Sequence, residues 1–273
     1  MSDHCRVIAV CGHEAAYGEA LRGRVGPEVT VVPNGRELFR TVAGLSRRGE
    51  EICVVPMTLG RDPELVADTA RTLRALPAPE RARTVLAEPF GTSGHLTAWL
   101  RAAAGRAPDT AALLVTAPAG DPFEDAELYR VASLVRRYGG HDLVEVAFTG
   151  GDPDPAAGVR RCRLLGARHV VLLPAAFAEP QAPDVPGIRV ESAGPLIVPA
   201  ALARVLAERV ADARRHRSER GDDGIAAGLT AAENHGHSHT HPPGEGHGHG
   251  HGHLHTHRHP HVHGAGQVIR STA

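Results

Sequence analysis

The sequence contains no lysine: all thirty of its basic residues are arginine. Beside so much alanine, glycine and proline this reads as a composition bias and carries no mechanism of its own. Cysteine is scarce too, and the four present, Cys5, Cys11, Cys53 and Cys162, show no CxxC spacing. Three lie in or beside apolar runs, as small buried hydrophobes do, which favours a reducing compartment over a disulfide framework. No apolar stretch approaches the roughly 20 residues a transmembrane helix requires. The N-terminal MSDHCRVIAVCG lacks a basic n-region and a long apolar h-region, so no signal peptide is expected. Net charge is −1, which gives no general attraction to nucleic acid or an anionic membrane. The expectation is a soluble cytoplasmic protein with neither nucleic acid nor membrane as partner; a homodimer is compatible with all of this.

What is present is enough for a core, with 42% of 273 residues apolar. Short apolar runs over residues 7–11, 29–32, 52–57 and 84–86 read as strands. Between and after them, residues 36–47, 63–76 and 96–104 place apolar side chains at helical spacing. Asp62 followed by Pro63 is a helix start, a cap with proline at the first position. The pattern then begins again. Strands are expected over 111–117, 143–148, 169–174 and 188–190, with helices over 124–138, 155–165 and 199–214. Two pairs of segments align between the halves: 54–63 with 172–181, and 88–102 with 191–205. The period of about 110 residues predicts an α/β fold of two similar doubly wound parallel-sheet lobes facing a cleft. The repeat is imperfect, because the second half has no counterpart of the 63–76 helix. The expected division is a lobe over 1–107, a lobe over 108–217, and a linker and histidine-rich tail over 218–273 with little to bury and no order in the absence of metal.

That tail carries the plainest chemistry. Histidines alternate at His235, His237, His239 and His241, and again at His247, His249, His251, His253, His255, His257, His259, His261 and His263. Neutral imidazole is the commonest side-chain ligand for Co, Ni, Cu and Zn, and the intervening Gly, Thr and Ser leave the backbone free to wrap an ion. An interrupted tract followed by ten ordinary residues is unlike a purification tag. A divalent transition metal is therefore the expected cofactor or cargo, cobalt first, with nickel, zinc and iron open.

In the core, His13 sits just past the first strand, at the edge where open α/β sheets place their ligands. A histidine titrating near neutrality suits both metal ligation and proton transfer. Glu14, Asp62 and Glu64 are candidate carboxylate partners, although first-turn acids also serve the helix dipole and Asp62 also serves as a cap. His95, in the turn GTSGHL, is a further candidate metal ligand. His141 and His169 lie beside strands as structural residues, and His4 and His216 read as solvated surface.

The stretch GGHDLVEVAFTGGDPDPAAGVRRCRLLGARHVVLLP, with the elements at Glu88 and Glu191, resembles the class II chelatases of tetrapyrrole biosynthesis, the sirohydrochlorin cobalto-, ferro- and nickelochelatases. The likeness spans roughly residues 6–213. Where that family opens with G-H-G-S-R, this chain reads CGHEAAYG, keeping Gly12 and His13. Where the family has a second histidine after its third strand, this chain has PMTLGRDPELVAD. The resemblance implies ATP-independent insertion of Co(II), or Ni or Fe, into a sirohydrochlorin-like tetrapyrrole in cobalamin biosynthesis. His13 would then be ligand and base, with Glu14 and Glu64 as acid–base partners, Arg61 facing the substrate's carboxylates and the tail supplying metal. Two other readings fit the same residues: a metallochaperone or metal buffer on a catalytically decayed core, and a tetrapyrrole-binding subunit without catalysis.

Overall fold

Alternate residues along each strand face opposite ways, and here both ways lead into a core. Ala9 and Cys11 of the first strand join one apolar cluster, while Ile8 and Val10 join another. Cys53, Val55 and Met57 divide from Ile52 and Val54 in the same manner. Burial on both faces is why the strands read as continuous apolar runs rather than alternating ones.

The structure, a computed structural model, describes residues 5–233. Strands β1 (Cys5–Cys11), β2 (Val29–Pro33), β3 (Glu51–Met57) and β4 (Thr84–Leu86) form a parallel sheet in the order β2-β1-β3-β4. Strands β5 (Ala112–Pro118), β6 (Val144–Thr149), β7 (His169–Pro174) and β8 (Arg189–Ser192) form a second parallel sheet in the equivalent order β6-β5-β7-β8. The α/β fold of two parallel-sheet lobes expected from the repeat is what the chain adopts. The helices are α1 (Arg36–Arg47), α2 (Pro63–Arg74), α3 (Ala78–Arg81), α4 (Ser93–Ala104), α5 (Pro122–Arg137), α6 (Pro155–Leu164), α7 (Pro199–Arg220) and α8 (Ile225–Leu229). No helix stands between β7 and β8, so α2 is indeed without a counterpart. Among the described residues no helix is long and apolar enough to cross a membrane.

Each lobe gives its last helix to the other. Helix α4 packs on α5 and β7 of the second lobe, and α7 packs on β3 and β4 of the first. Leu96 and Leu100 of α4 and Leu202 and Leu206 of α7 share one cluster with the inward faces of both sheets. Phe90 and Phe177 meet edge to face across the lobes at 5.3 Å. Arg24 donates to the Ile197 carbonyl at 2.7 Å, and Arg209 reaches Glu88 at 3.1 Å. The lobes therefore belong to one compact unit rather than forming separate folding domains. Residues 1–107 expressed alone would leave the α7 face of β3 and β4 open to water. They are expected to show no cooperative urea transition by far-UV circular dichroism; a cooperative transition would show that the exchange of helices is dispensable.

The expected start of an unstructured linker at residue 218 is corrected. Helix α7 continues to Arg220, and α8 lies against α2 and β4 with Ile225 buried. The Asp223 carbonyl accepts from the Leu86 amide at 2.8 Å. Gly224, at φ 74°, is the point of closest approach: a Cβ there would sit 2.0 Å from the Leu86 carbonyl oxygen. The glycine-rich composition that suggests a free linker is what lets this strap lie flat on the first lobe. The expected histidine tract, His235 to His263, lies outside the described residues.

Candidate metal centre

Three turns at the carboxyl ends of parallel strands converge, one from each of β1, β3 and β5. The first brings His13, directly after β1 and Gly12. A Cβ on Gly12 would fall 2.5 Å from Asp62 Oδ2, so the close approach of these turns requires glycine. The second brings Asp62, N-cap of α2, whose Oδ1 accepts from the Leu65 amide at 2.8 Å. The third brings Glu124, third residue of α5, whose Oε2 accepts from the Asp121 amide at 3.1 Å in a capping box.

Asp62 caps with Oδ1 and keeps Oδ2 for His13, while Glu124 turns its one capping oxygen, Oε2, to His13 as well. Nδ1 of His13 lies 3.1 Å from Asp62 Oδ2, and Nε2 lies 3.4 Å from Glu124 Oε2. One donor atom from each residue falls within 4.8 Å of the others, and among the described residues this is the group that could hold a metal ion. The side chains are only 19%, 8% and 9% exposed. Nε2 of His13 is buried and makes no hydrogen bond. Asp62 at Nδ1 fixes the ring and its tautomer, as an outer carboxylate does for a metal-bound histidine, and turns the Nε2 lone pair toward Glu124. Donors sharing an ion at about 2.1 Å stand roughly 3.0–3.4 Å apart, so the Nε2–Glu124 pair fits a small transition metal as it stands. The mixed nitrogen and oxygen set suits Co, Ni, Zn and Fe(II) and does not choose among them.

The electrostatics are those of a group short of one cation. Burial alone would lower the His13 value, but the hydrogen bond and charge of Asp62, backed by Glu124 and Glu14, outweigh it and hold the imidazolium above its ordinary range. Burial pushes the Glu124 carboxyl up to about 7; the His13 cation opposes this and the Asp62 charge adds to it. A proton or a metal ion can satisfy the gap between them.

The remaining sequence candidates sit elsewhere. Glu14 is fully buried, accepting from the Thr58 hydroxyl and from the Leu59 amide at 2.8 Å, with burial raising its carboxyl. It holds the turn before Asp62 and lines neither of the cavities described below. Glu64 is exposed and lies 3.5 Å from Arg71. His95 is exposed in the first turn of α4, 3.1 Å from the Thr92 hydroxyl and stacked on Trp99 at 5.7 Å. Neither belongs to the group. Arg61 is only 1% exposed, its guanidinium turned into the interface between the lobes. His141 is buried between the carbonyls of Ala111 and Ala104, at 3.0 and 3.1 Å, a structural histidine as expected. Glu124 was not legible as a site residue. The sequence Asp-Pro-Phe-Glu announces a capping box; only the repeat, which makes the end of β5 the equivalent of the end of β1, points to it as a facing group.

A cavity flanks the group on each side. One, of about 350 Å³, has Asp62, Thr58, Val66, Leu86, Asp212 and His216 in its wall. The other, of about 310 Å³, is walled by Arg61, Glu64, Phe123, Glu124 and Arg130. Gly60 and Pro63 border both, while Ala231 lines the first and Ala232 the second.

No protein-family model and no curated protein matches this sequence. Among solved structures the chain is similar to LpoA of Haemophilus influenzae, with a TM-score of 0.26 and 12% identity over 63% of this chain and 34% of that one. The chain thus spans about a third of that protein's length, and a likeness this low carries no argument.

Proposed function

We propose that this chain is an ATP-independent metal chelatase that inserts Co(II) into a sirohydrochlorin-type macrocycle. The observation that carries the reading is the His13–Asp62–Glu124 group, assembled from both lobes at the cleft edge of their sheets. The ion, as substrate, is held between His13 Nε2 and Glu124, with Asp62 orienting the ring. Insertion of a divalent ion displaces two pyrrole protons. The two groups that release the ion are the two that can take those protons: imidazole Nε2 and the Glu124 carboxylate each accept one, and both hold a proton more tightly than usual. Phe123, more than half exposed beside Glu124, offers a flat apolar surface to a planar ring.

The tail fits as an ion store. Near its end the described chain passes both cavities, at Ala231 and Ala232, and His235 is three residues beyond Ala232 in the sequence. Covalent geometry keeps it within roughly 11 Å of Ala232. A tethered store raises the local ion concentration without a new contact. Deleting residues 235–263 is expected to remove most of the bound Co(II) seen by equilibrium dialysis, and to raise the Co(II) needed for half-maximal insertion while leaving the saturated rate intact. Unchanged stoichiometry would refute the store.

One observation favours a second reading, a metal buffer or chaperone without ring chemistry. The burial of Arg61 removes the cation that substrate carboxylates were expected to meet near the metal group. Incubating the protein with sirohydrochlorin and Co(II), and following the absorption change against the spontaneous reaction, separates the two. No acceleration leaves the buffer reading.

A further inference from the structure

We propose that Arg61 is a positioning residue: it brings the Glu124 turn of one lobe to His13 of the other, and so sets the affinity of the metal centre without touching the ion. The inference rests on the His13–Asp62–Glu124 group being a metal site. Arg61 precedes Asp62, and the two neighbours act in opposite directions. Asp62 holds Nδ1 of His13 within its own lobe. Arg61 crosses to the other lobe, where its Nε donates to the Glu124 carbonyl at 3.3 Å and its Nη2 to the Pro118 carbonyl at 3.4 Å. Nη2 also lies 3.4 Å from Asp125 Oδ1, while the same Asp125 oxygen accepts from the Gly120 amide at 3.0 Å. All three acceptors belong to residues 118–125, the turn that carries Glu124.

Packing alone does not explain an arginine here. Its side chain is fully buried, and Nη1 is left without a hydrogen-bond partner. Burying a guanidinium is costly, and an apolar side chain of similar size would fill the space at no such cost. What an apolar side chain lacks is a planar fork that grips two carbonyls and a carboxylate at once; lysine, a single point charge on a flexible stem, lacks it too. The Nε2–Glu124 separation of 3.4 Å leaves little tolerance for drift, because a ligand displaced by an ångström no longer closes on the ion. The residue expected from sequence to face a substrate anion is instead the clamp of the metal centre.

The test uses the full chain with histidine labelled in ¹⁵N, and free Zn(II) clamped by a chelator buffer so that ions held by the tract do not alter it. The His13 ring signals, assigned by their loss in His13→Ala, report occupancy of the centre. Arg61→Met is expected to raise the free Zn(II) at half-shift by about 10- to 100-fold, the usual cost of losing an outer partner of a metal ligand. Added to Glu124→Gln, it is expected to weaken binding no further, since the ligand it positions is already gone. A general loosening of the fold would weaken both backgrounds alike and would overturn the proposal, as would an unchanged midpoint in Arg61→Met. Should Arg61→Met fail to fold, Asp125→Asn, at the more exposed end of the clamp, is expected to raise the midpoint several-fold, and no change there overturns the proposal as well. If His13 of the wild-type protein does not respond to Zn(II), the metal centre itself is refuted, a result distinct from any of these.

Discussion

His13→Ala is expected to reduce Co(II) insertion into sirohydrochlorin to the spontaneous rate, measured by the absorption change of the ring. Loss of one general base costs about 10² to 10⁴ in rate, and here the same side chain is also the nitrogen ligand of the group. Among the described residues no other histidine stands in that group to replace it. His13 is partly exposed and belongs to no apolar cluster, so the variant is expected to keep the fold, checked by far-UV circular dichroism. Insertion by His13→Ala as fast as wild type would remove the mechanism given above. A wild-type protein no faster than the spontaneous reaction would make the buffer reading the leading one.

Zinc binding at the centre is expected to be lost at a higher pH than zinc binding by the tract. The ion needs Glu124 as carboxylate and His13 with a free Nε2, and both groups hold their protons more tightly than usual. Glu124 releases its proton at about 7, and His13 above its ordinary range. Below both values each required deprotonation weakens apparent affinity by up to tenfold per pH unit, so the slope approaches two decades per unit. Tract imidazoles keep their ligands down to about pH 6. Following the His13 signals and the total bound zinc from pH 8 to pH 5.5 separates the two; a common midpoint near pH 6 would show that His13 and Glu124 do not hold their protons as described. The stability of the metal-free protein carries the same signature. A group whose value is raised on folding stabilises the folded state below its unfolded value and ceases to do so as the pH rises through its folded one. Both groups act in this sense. The metal-free transition temperature should therefore fall between pH 5 and pH 8, while the increment produced by Zn(II) grows.

Much of the scaffold could be read without coordinates, because strands buried on both faces and helices with one apolar stripe leave different periods in the sequence. Asp62 before Pro63 was legible as a cap and proves to be one, while His13 was found by its place after β1. Three things were hidden, each for a physical reason. Periodicity shows that α4 and α7 bury a stripe, but the stripe looks the same whichever lobe covers it. A capping glutamate has the same sequence signature whether or not its carboxylate also faces a histidine, so Glu124 is invisible as a partner. Composition counts apolar side chains and not how closely a glycine backbone can lie, so Ile225 and its strap on β4 read as linker.

The exchange of α4 and α7 bears on how such a chain can have arisen. A protein of one lobe, ending after its final helix, would have an uncovered sheet face and a helix with nowhere of its own to pack. Two copies satisfy each other by trading that helix, which makes a swapped, two-fold symmetric dimer the simplest ancestor. In such a dimer the end of the first strand occurs twice, facing itself across the axis, and any residue placed there is present on both sides. Joining the copies in a single gene breaks that constraint. The two sides are then free to differ: the turn after β1 carries an imidazole in His13, and the turn after β5 carries a carboxylate at a different position, in Glu124.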